Sequence, residues 1–316
     1  MLSADHLVRQ LAGLAGIGAD APLAVAVSGG ADSLALLRLA HAAFGARVHV
    51  LSVDHGLRAS AADECAMVAG IAAGLGLRHA TLHPAAPIAP ANVQDGARRA
   101  RYQAMAGWCV ANGVPYLLTA HHADDQAETL LMRLARGSGP GGLSGIRAVV
   151  HLHGVQVLRP LLGTPRAALH MVLEGSGWVP VDDPSNADPR FDRTAARALL
   201  AATGWLQPER LAAAAANLCS ANEALDWAAA RAWASRAVPL DAGWRIDAAA
   251  LPRALQHALL IRALAELGTP APDGPAADRL LTRLLAGGGG TLGNARATAA
   301  KGDWLIRPAP PRAAVR

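Results

Sequence analysis

The strongest constraint on this chain is an alternation. Short apolar runs give way repeatedly to segments whose apolar residues recur at helical spacing. Residues 23–27 read as a buried strand ending at Ser28-Gly29-Gly30. Residues 32–44 follow as a helix, with Leu34, Leu37 and His41 along one face. The pairing recurs with strand 47–53 and helix 61–75, then strand 78–83 and a Pro-rich loop at 84–90. A helix capped by Asn92 and stopped by Asn112-Gly113 comes next, then strand 115–119 and helix 124–136. Strand and helix in turn imply right-handed crossovers and a parallel sheet. A glycine-rich stretch at 137–145 interrupts the pattern. Two short strands, 147–152 and 155–158, turn about His153-Gly154. Pro165 opens a helix that ends near Gly175, residues 182–193 form a polar loop, and helix resumes near Thr194.

After Gly204 the character changes. Alanine-rich helices are expected at 211–236, 251–267 and 276–285, then a glycine joint at 287–290. A closing hairpin of strands 291–299 and 304–307 flanks Lys301-Gly302-Asp303. The expected organisation is an α/β parallel-sheet domain over residues 1–205, followed by a smaller, mostly helical domain over 206–316. The length of 316 residues agrees with two domains of about 150 residues each. Apolar residues make up 52% of the chain and charged residues 17%, which excludes general disorder. Only 3% are aromatic, and a core of alanine and leucine favours packed helices over an all-β sandwich. No internal repeat is evident.

The formal net charge is +5, and Lys301 is the only lysine, so the basicity is arginine. Guanidinium forks suit phosphate, which admits a polyanionic partner; a general preference for arginine over lysine explains the count equally well. Cys65, Cys109 and Cys219 stand far apart, with no C-x-x-C pair to signal zinc or a redox dithiol, and so sparse a count fits a reducing compartment. The first residues lack the basic and apolar regions of a signal peptide, and no stretch approaches the roughly 20 apolar residues of a membrane helix. A cytoplasmic protein is expected, with no membrane partner. The oligomeric state is not set by these features, and a homodimer is compatible with them.

Ser28-Gly29-Gly30-Ala31-Asp32-Ser33 follows a strand and opens a helix. That placement aims unpaired N–H groups and a helix dipole at one point, and glycine lets an anion approach. A carboxylate at Asp32 would repel that anion unless a cation lies between, which suggests Mg2+. The plainer alternative is a tight turn with Asp32 as a cap. G-x-x-x-x-G-K-[ST] and G-x-G-x-x-G are both absent. Val53-Asp54-His55-Gly56-Leu57-Arg58 ends the second strand, where a loop could read adenine or ribose, or simply start a helix. In Ala97-Arg98-Arg99-Ala100-Arg101-Tyr102, Arg98 and Arg101 share a helix face while Arg99 lies off it. Thr119-Ala120-His121-His122-Ala123-Asp124-Asp125-Gln126-Ala127-Glu128-Thr129 is the densest polar string. His121, Asp125 and Glu128 fall along one helix face, where carboxylates suit Mg2+ and histidines zinc; capping by Asp124 is the structural alternative.

The glycine string resembles the pyrophosphate loop of the N-type ATP pyrophosphatases, or PP-loop superfamily, which cleave ATP between its α and β phosphates. The later strings narrow the resemblance to the tRNA(Ile)-lysidine synthases. These are Val53 to Arg58, Arg98 to Tyr102, Thr119 to Thr129, Arg136-Gly137-Ser138-Gly139 and Gly141 to Ile146. Arg159-Pro160-Leu161-Leu162, Asp183-Pro184-Ser185-Asn186 and Phe191-Asp192-Arg193-Thr194-Ala195-Ala196-Arg197 complete it. The match spans residues 23 to about 200. One departure is Thr194, where the family commonly has Asn. Longer members carry an extra C-terminal domain, all of which this chain is too short to hold.

The resemblance implies a Rossmann-like, adenine nucleotide alpha hydrolase-like fold. It implies a ligase that adenylates C2 of the wobble cytidine of a CAU-anticodon tRNA(Ile) with ATP and Mg2+. L-lysine then displaces AMP to give lysidine. Asp32, Asp125, Glu128 and Arg193 are the expected catalytic residues, with Asp32 and Asp125 as metal ligands. Ser28, Gly29, Gly30, Ala31, Asp32, Ser33, Asp54 and His55 would hold ATP. Arg98, Arg101, His121, Asp124 and Arg197 would bind substrate. The competing readings are a tRNA thiolase of the same superfamily, or a non-catalytic ATP- or RNA-binding module. GMP or NAD synthetase leaves the Asp125 region unexplained.

Overall fold

The computed structural model describes residues 2–18, 20–56, 60–86, 93–181, 192–270, 274–300 and 302–310. The Asn92 cap, Leu57 and Arg58, the string at 183–186, Phe191 and Lys301 therefore lie outside the described residues. The chain divides into two compact units, Met1–Asn217 and Leu218–Arg316.

The first unit opens with helix α1 (Ala4–Ala15), then β1 (Leu23–Ala26), α2 (Ala31–Phe44), β2 (Val48–Val53), α3 (Ser60–Gly74) and β3 (Arg78–Leu82). It continues with α4 (Val93–Ala111), β4 (Tyr116–Leu118), α5 (Ala123–Ala135) and the short α6 (Pro140–Leu143). Strands β5 (Val149–Leu152) and β6 (Val155–Leu158) and helices α7 (Arg166–Leu173) and α8 (Asp192–Ala202) complete it, before α9 (Pro208–Arg236) begins. The sheet order is β3-β2-β1-β4-β6-β5. All neighbours run parallel except β5, which returns antiparallel on the edge beside β6. The expected parallel sheet is thus a mostly parallel one with a hairpin edge. His153 and Gly154, both at positive φ, make that hairpin's turn.

The strands explain the uninterrupted apolar runs. Leu23 and Val25 pack on one face of the sheet with Leu34, Leu37 and Phe44 of α2 and with Leu7 and Leu11 of α1. Ala24 points to the other face, with Tyr102, Met105 and Cys109 of α4 and Leu117 and Val157. A strand buried on both sides cannot alternate with polar residues. The order of strands reverses between β1 and β4, since β2 and β3 lie on one side of β1 and β6 on the other. Loops leaving adjacent strands in opposite directions open a crevice at their carboxyl ends.

The second unit has its own core. Strands β7 (Ala237–Leu240) and β8 (Gly243–Asp247) are followed by helices α10 (Arg253–Glu266) and α11 (Gly274–Leu285). Strands β9 (Gly289–Leu292), β10 (Ala295–Ala300) and β11 (Asp303–Pro308) close it. They form an antiparallel sheet of order β7-β8-β11-β10-β9. The expected hairpin is present as β10 and β11, but the run at 291–299 is two strands broken at Gly293-Asn294, and β7 and β8 add to it. Trp304 and Ile306 pack against Leu259 and Leu260 of α10 and Leu281 of α11. Among the described residues, no helix is long and apolar enough to cross a membrane.

Candidate active site

The glycine turn leaves β1 as soon as the strand's last ladder bond, Val27 N–H to the Leu51 carbonyl at 2.8 Å, is made. Gly29 takes φ +87°, a region open to glycine, and a Cβ there would meet Met67 Cε at 3.0 Å and Val181 Cγ2 at 3.5 Å. Ser33 ties the turn to itself. Its hydroxyl donates to the Gly30 carbonyl at 2.8 Å and accepts the Ser28 N–H at 3.2 Å. Gly30 is the N-cap of α2 and brings no side chain to cap it. The first-turn N–H groups of α2 therefore stay available to an anion at the positive end of the helix.

The polar string at 119–129 leaves β4, the neighbour of β1. Thr119 extends the ladder, its N–H donating to the Leu158 carbonyl at 3.0 Å, and His122 then caps α5. Asp125 accepts the His122 N–H at 3.2 Å, and Asp124 accepts the Arg166 N–H at 2.9 Å. The buried His122 ring lies among three carboxylates. Its Nε2 is 3.4 Å from Asp32 Oδ2 and 3.6 Å from Asp125 Oδ2, and its Nδ1 is 3.5 Å from Asp124 Oδ2. Burial alone would discharge this imidazole. The contacts with Asp124 and Asp32 and the charge of Asp125 outweigh it and push the pKa up to about 10, so the ring is an imidazolium at neutral pH. Burial raises Asp32, yet His122, Arg166 and His170 together hold it below the ordinary carboxylate range. Asp124 is likewise lowered against burial, by His122 and by the Arg166 N–H. Arg166 Nε and His170 Nε2, both on α7, lie 3.6 and 3.7 Å from Asp32 Oδ1, an oxygen buried without a hydrogen bond. Sequence reasoning missed Arg166 and His170. Only the packing of α7 on α2 brings them there.

The two adjacent histidines part. His121 turns to Thr119, Nδ1 to Oγ1 at 2.9 Å, away from the acids. Burial first, then the charges of Arg159, Arg98, Arg101 and Arg193, push its pKa down to about 2. Arg98 and Arg101 do share a face, over Tyr102, whereas Arg99 pairs with Asp95 at 2.7 Å. Glu128 is only 2% exposed, and both its oxygens meet guanidinium groups of α8. Arg193 Nε lies 3.2 Å from Oε2 and Arg197 Nε 2.9 Å from Oε1. Asp54 and His55 sit at the carboxyl end of β2, where Asp54 accepts the Gly56 N–H at 2.8 Å. Apart from Asp54 and His55, the site residues thus gather at the carboxyl ends of the strands, in an acid–histidine group at the glycine turn and an arginine group beside it.

Among the described residues, no three His, Cys, Asp or Glu side chains are arranged to hold a metal. A zinc site built on both histidines is not what this geometry offers. Magnesium makes a different demand. It keeps water and takes one or two carboxylates plus phosphate oxygens, and the hydrogen-bond-free Oδ1 of Asp32 beside the glycine turn fits that role.

A family model described as the PP-loop domain matches residues 4–203. The tRNA(Ile)-lysidine synthase of Novosphingobium aromaticivorans is 44% identical over 289 residues, covering 90% of this chain and 88% of that protein. That of Zymomonas mobilis subsp. mobilis is 40% identical over 295 residues, covering 92% and 89%. Among solved structures, the U34-tRNA thiolase NcsA from Methanococcus maripaludis superposes with a TM-score of 0.54 at 15% identity, over 68% of this chain and 78% of that one, a likeness of fold alone.

Proposed function

The chain belongs to the PP-loop family and, within it, to the tRNA(Ile)-lysidine synthases, and on that premise we propose that it ligates free L-lysine to C2 of the wobble cytidine of a CAU-anticodon tRNA(Ile) in the cytoplasm. ATP transfers AMP to the C2 oxygen and pyrophosphate leaves. The ε-amine of lysine then attacks C2 and AMP departs. The observation that supports this most is the meeting, at the carboxyl ends of β1 and β4, of the glycine turn with an acid-rich segment.

The first-turn N–H groups of α2 would hold the outer phosphates and stabilise the charge that grows on pyrophosphate. Asp32, with Asp125 as the second candidate, would hold Mg2+, which neutralises charge on the phosphate oxygens when bound. Lysine arrives as an ammonium ion, with an unperturbed pKa of about 10.4, and must be both gripped and deprotonated. Of the two carboxylates expected for this work, Asp125 and Glu128, only Asp125 keeps an oxygen to meet the ammonium and take its proton. Asp125 engages His122 through Oδ2, so its Oδ1 can meet the ammonium. Glu128, gripped on both oxygens, orients Arg193 and Arg197 toward the substrates. Their positive charge, with that of Arg98 and Arg101, suits the phosphates of ATP and RNA.

The experiment uses pyrophosphate release and the mass of the modified nucleoside, with transcribed tRNA(Ile), plus and minus lysine. Asp125→Asn should incorporate little lysine, with pyrophosphate release kept if Asp125 serves lysine and lowered if it holds Mg2+; full incorporation overturns its assignment. A thiolase reading needs reactive cysteines. Burial raises the Cys65 thiol and takes Cys109 up to about 11, which favours inert thiols.

A further inference from the structure

Ser52 of β2 is a buried hydroxyl, 2% exposed, in a strand whose Val48, Val50 and Leu51 belong to the apolar core. A hydroxyl keeps such a place at low cost only when its hydrogen bonds are made. The paired register of β1 with β2 ends at Ala26 and Leu51. Beyond it Ser52 Oγ donates to the Val27 carbonyl at 2.8 Å, a side chain continuing where the ladder stops. Val50 pairs with His79 and Ser52 with Thr81, so the His79 and Ser52 side chains share one face of the sheet, a diagonal step apart. His79 Nε2 lies 3.1 Å from Ser52 Oγ. The Ser52 proton is already given to Val27, so Nε2 is the donor of this bond. Burial lowers the His79 pKa, so the ring is neutral and keeps its proton there.

These bonds run on into the glycine turn. The Val27 carbonyl shares its peptide with the Ser28 N–H, which donates to Ser33 Oγ at 3.2 Å. Ser33 Oγ donates to the Gly30 carbonyl at 2.8 Å. That carbonyl shares its peptide with the Ala31 N–H, in the first turn of α2, where no intrahelical acceptor exists. Every bond from His79 to Gly30 therefore points the same way. Such a chain polarises its members, and a carbonyl that accepts makes the N–H of its own peptide a stronger donor.

We propose that Ser52 and His79 are positioning residues for the glycine turn: from the edge strand β3 they fix the Val27–Ser28 peptide, and through Ser33 they aim the first N–H donors of α2 at the nucleotide. This rests on the reading that the turn holds ATP. Neither residue touches the nucleotide; both act through the backbone. Without the Ser52 hydroxyl the Val27 carbonyl loses its donor, the peptide is free to turn, and the Ser28 N–H leaves Ser33.

The test measures the affinity of a non-cleavable ATP analogue by calorimetric titration, with thermal melts alongside. The proteins are wild type, Ser52→Ala, His79→Leu, their double variant, Gly29→Ala and Gly45→Ala. Ser52→Ala should bind the analogue roughly fivefold more weakly, the effect of one neutral hydrogen bond, and should bind transcribed tRNA(Ile) as wild type does. His79→Leu should weaken the analogue as well, and the double variant should be no weaker than Ser52→Ala, because His79 acts only through Ser52. Gly45→Ala, at φ +56° with nothing within 4 Å of an added Cβ, should lose stability and keep its affinity. Wild-type analogue affinity in Ser52→Ala, losses that add in the double variant, an equal loss for tRNA, or an equal loss in Gly45→Ala overturns the proposal. Should Ser52→Ala not fold, His79→Leu decides, and unchanged affinity there overturns it too. Normal analogue binding by Gly29→Ala would sink the glycine-turn reading instead, so the two failures are told apart.

Discussion

Replacing Gly29 with alanine separates backbone strain from lost chemistry. Gly29 sits at φ +87°, where a Cβ costs roughly 1–2 kcal/mol in backbone energy. The new methyl would press on Met67 Cε at 3.0 Å, but that is the free end of a flexible side chain and moves aside at little cost. Stability should therefore fall by about 1–2 kcal/mol, a drop in melting temperature of roughly 2–8 °C. Gly45 supplies the control. It has φ +56° and nothing within 4 Å of an added Cβ, and it lies after the far end of α2. Gly45→Ala should cost similar stability and leave the nucleotide untouched. Gly29→Ala should relieve its strain by turning the Ser28–Ala31 peptides, which misaligns the donors and weakens binding of an ATP analogue tenfold or more, about 1.4 kcal/mol. Calorimetric titration and thermal melts of both variants check this. Equal analogue affinity in the two would refute the reasoning, because the donors would then not depend on the turn's shape.

Glu128→Ala removes the carboxylate between Arg193 and Arg197; since both arginines reach water, the loss is about 2 kcal/mol rather than the 3–5 of a fully buried pair. Urea denaturation reads it, and an unchanged midpoint would show that the two ion pairs contribute nothing to the fold. The depressed pKa of His121 makes stability depend on pH in a defined direction. The folded protein leaves this ring neutral while the unfolded chain protonates it below about 6.5, so stability is lost as pH falls through that value toward about 2. Wild type should lose stability between pH 7 and 5 faster than His121→Gln, by at most about 1.4 kcal/mol per pH unit; parallel curves for the two proteins would contradict a neutral His121.

What was legible beforehand was local. The glycine turn and the 119–129 string each sit where a strand becomes a helix, and neighbouring residues alone set that geometry. Arg98 and Arg101 on one face followed from their spacing, and the structure keeps Arg99 off it. What stayed hidden depends on elements distant in sequence. Arg166 and His170 reach Asp32 only because α7 packs on α2, and Arg159 meets Tyr102 only because β6 lies next to β4. The acids around His122 were visible, but not that the histidine itself would be the cation joining them. Helix α1 escaped notice although Ser3 caps it and Gly16 ends it, since it lies outside the strand–helix alternation. Strands β7 and β8 are short, and Pro239 and Gly243 mask them.

Among the described residues, Glu128 pairs with no cation from its own half of the chain; its cations arrive from residues 193 and 197. During synthesis the ribosome must therefore release nearly two hundred residues before that carboxylate meets its counter-ions, and the glycine turn made first waits throughout for a complete neighbour. With Glu128, Arg193 and Arg197 acting as proposed, a fragment stopped short of α8 should lack activity however well its early strands assemble.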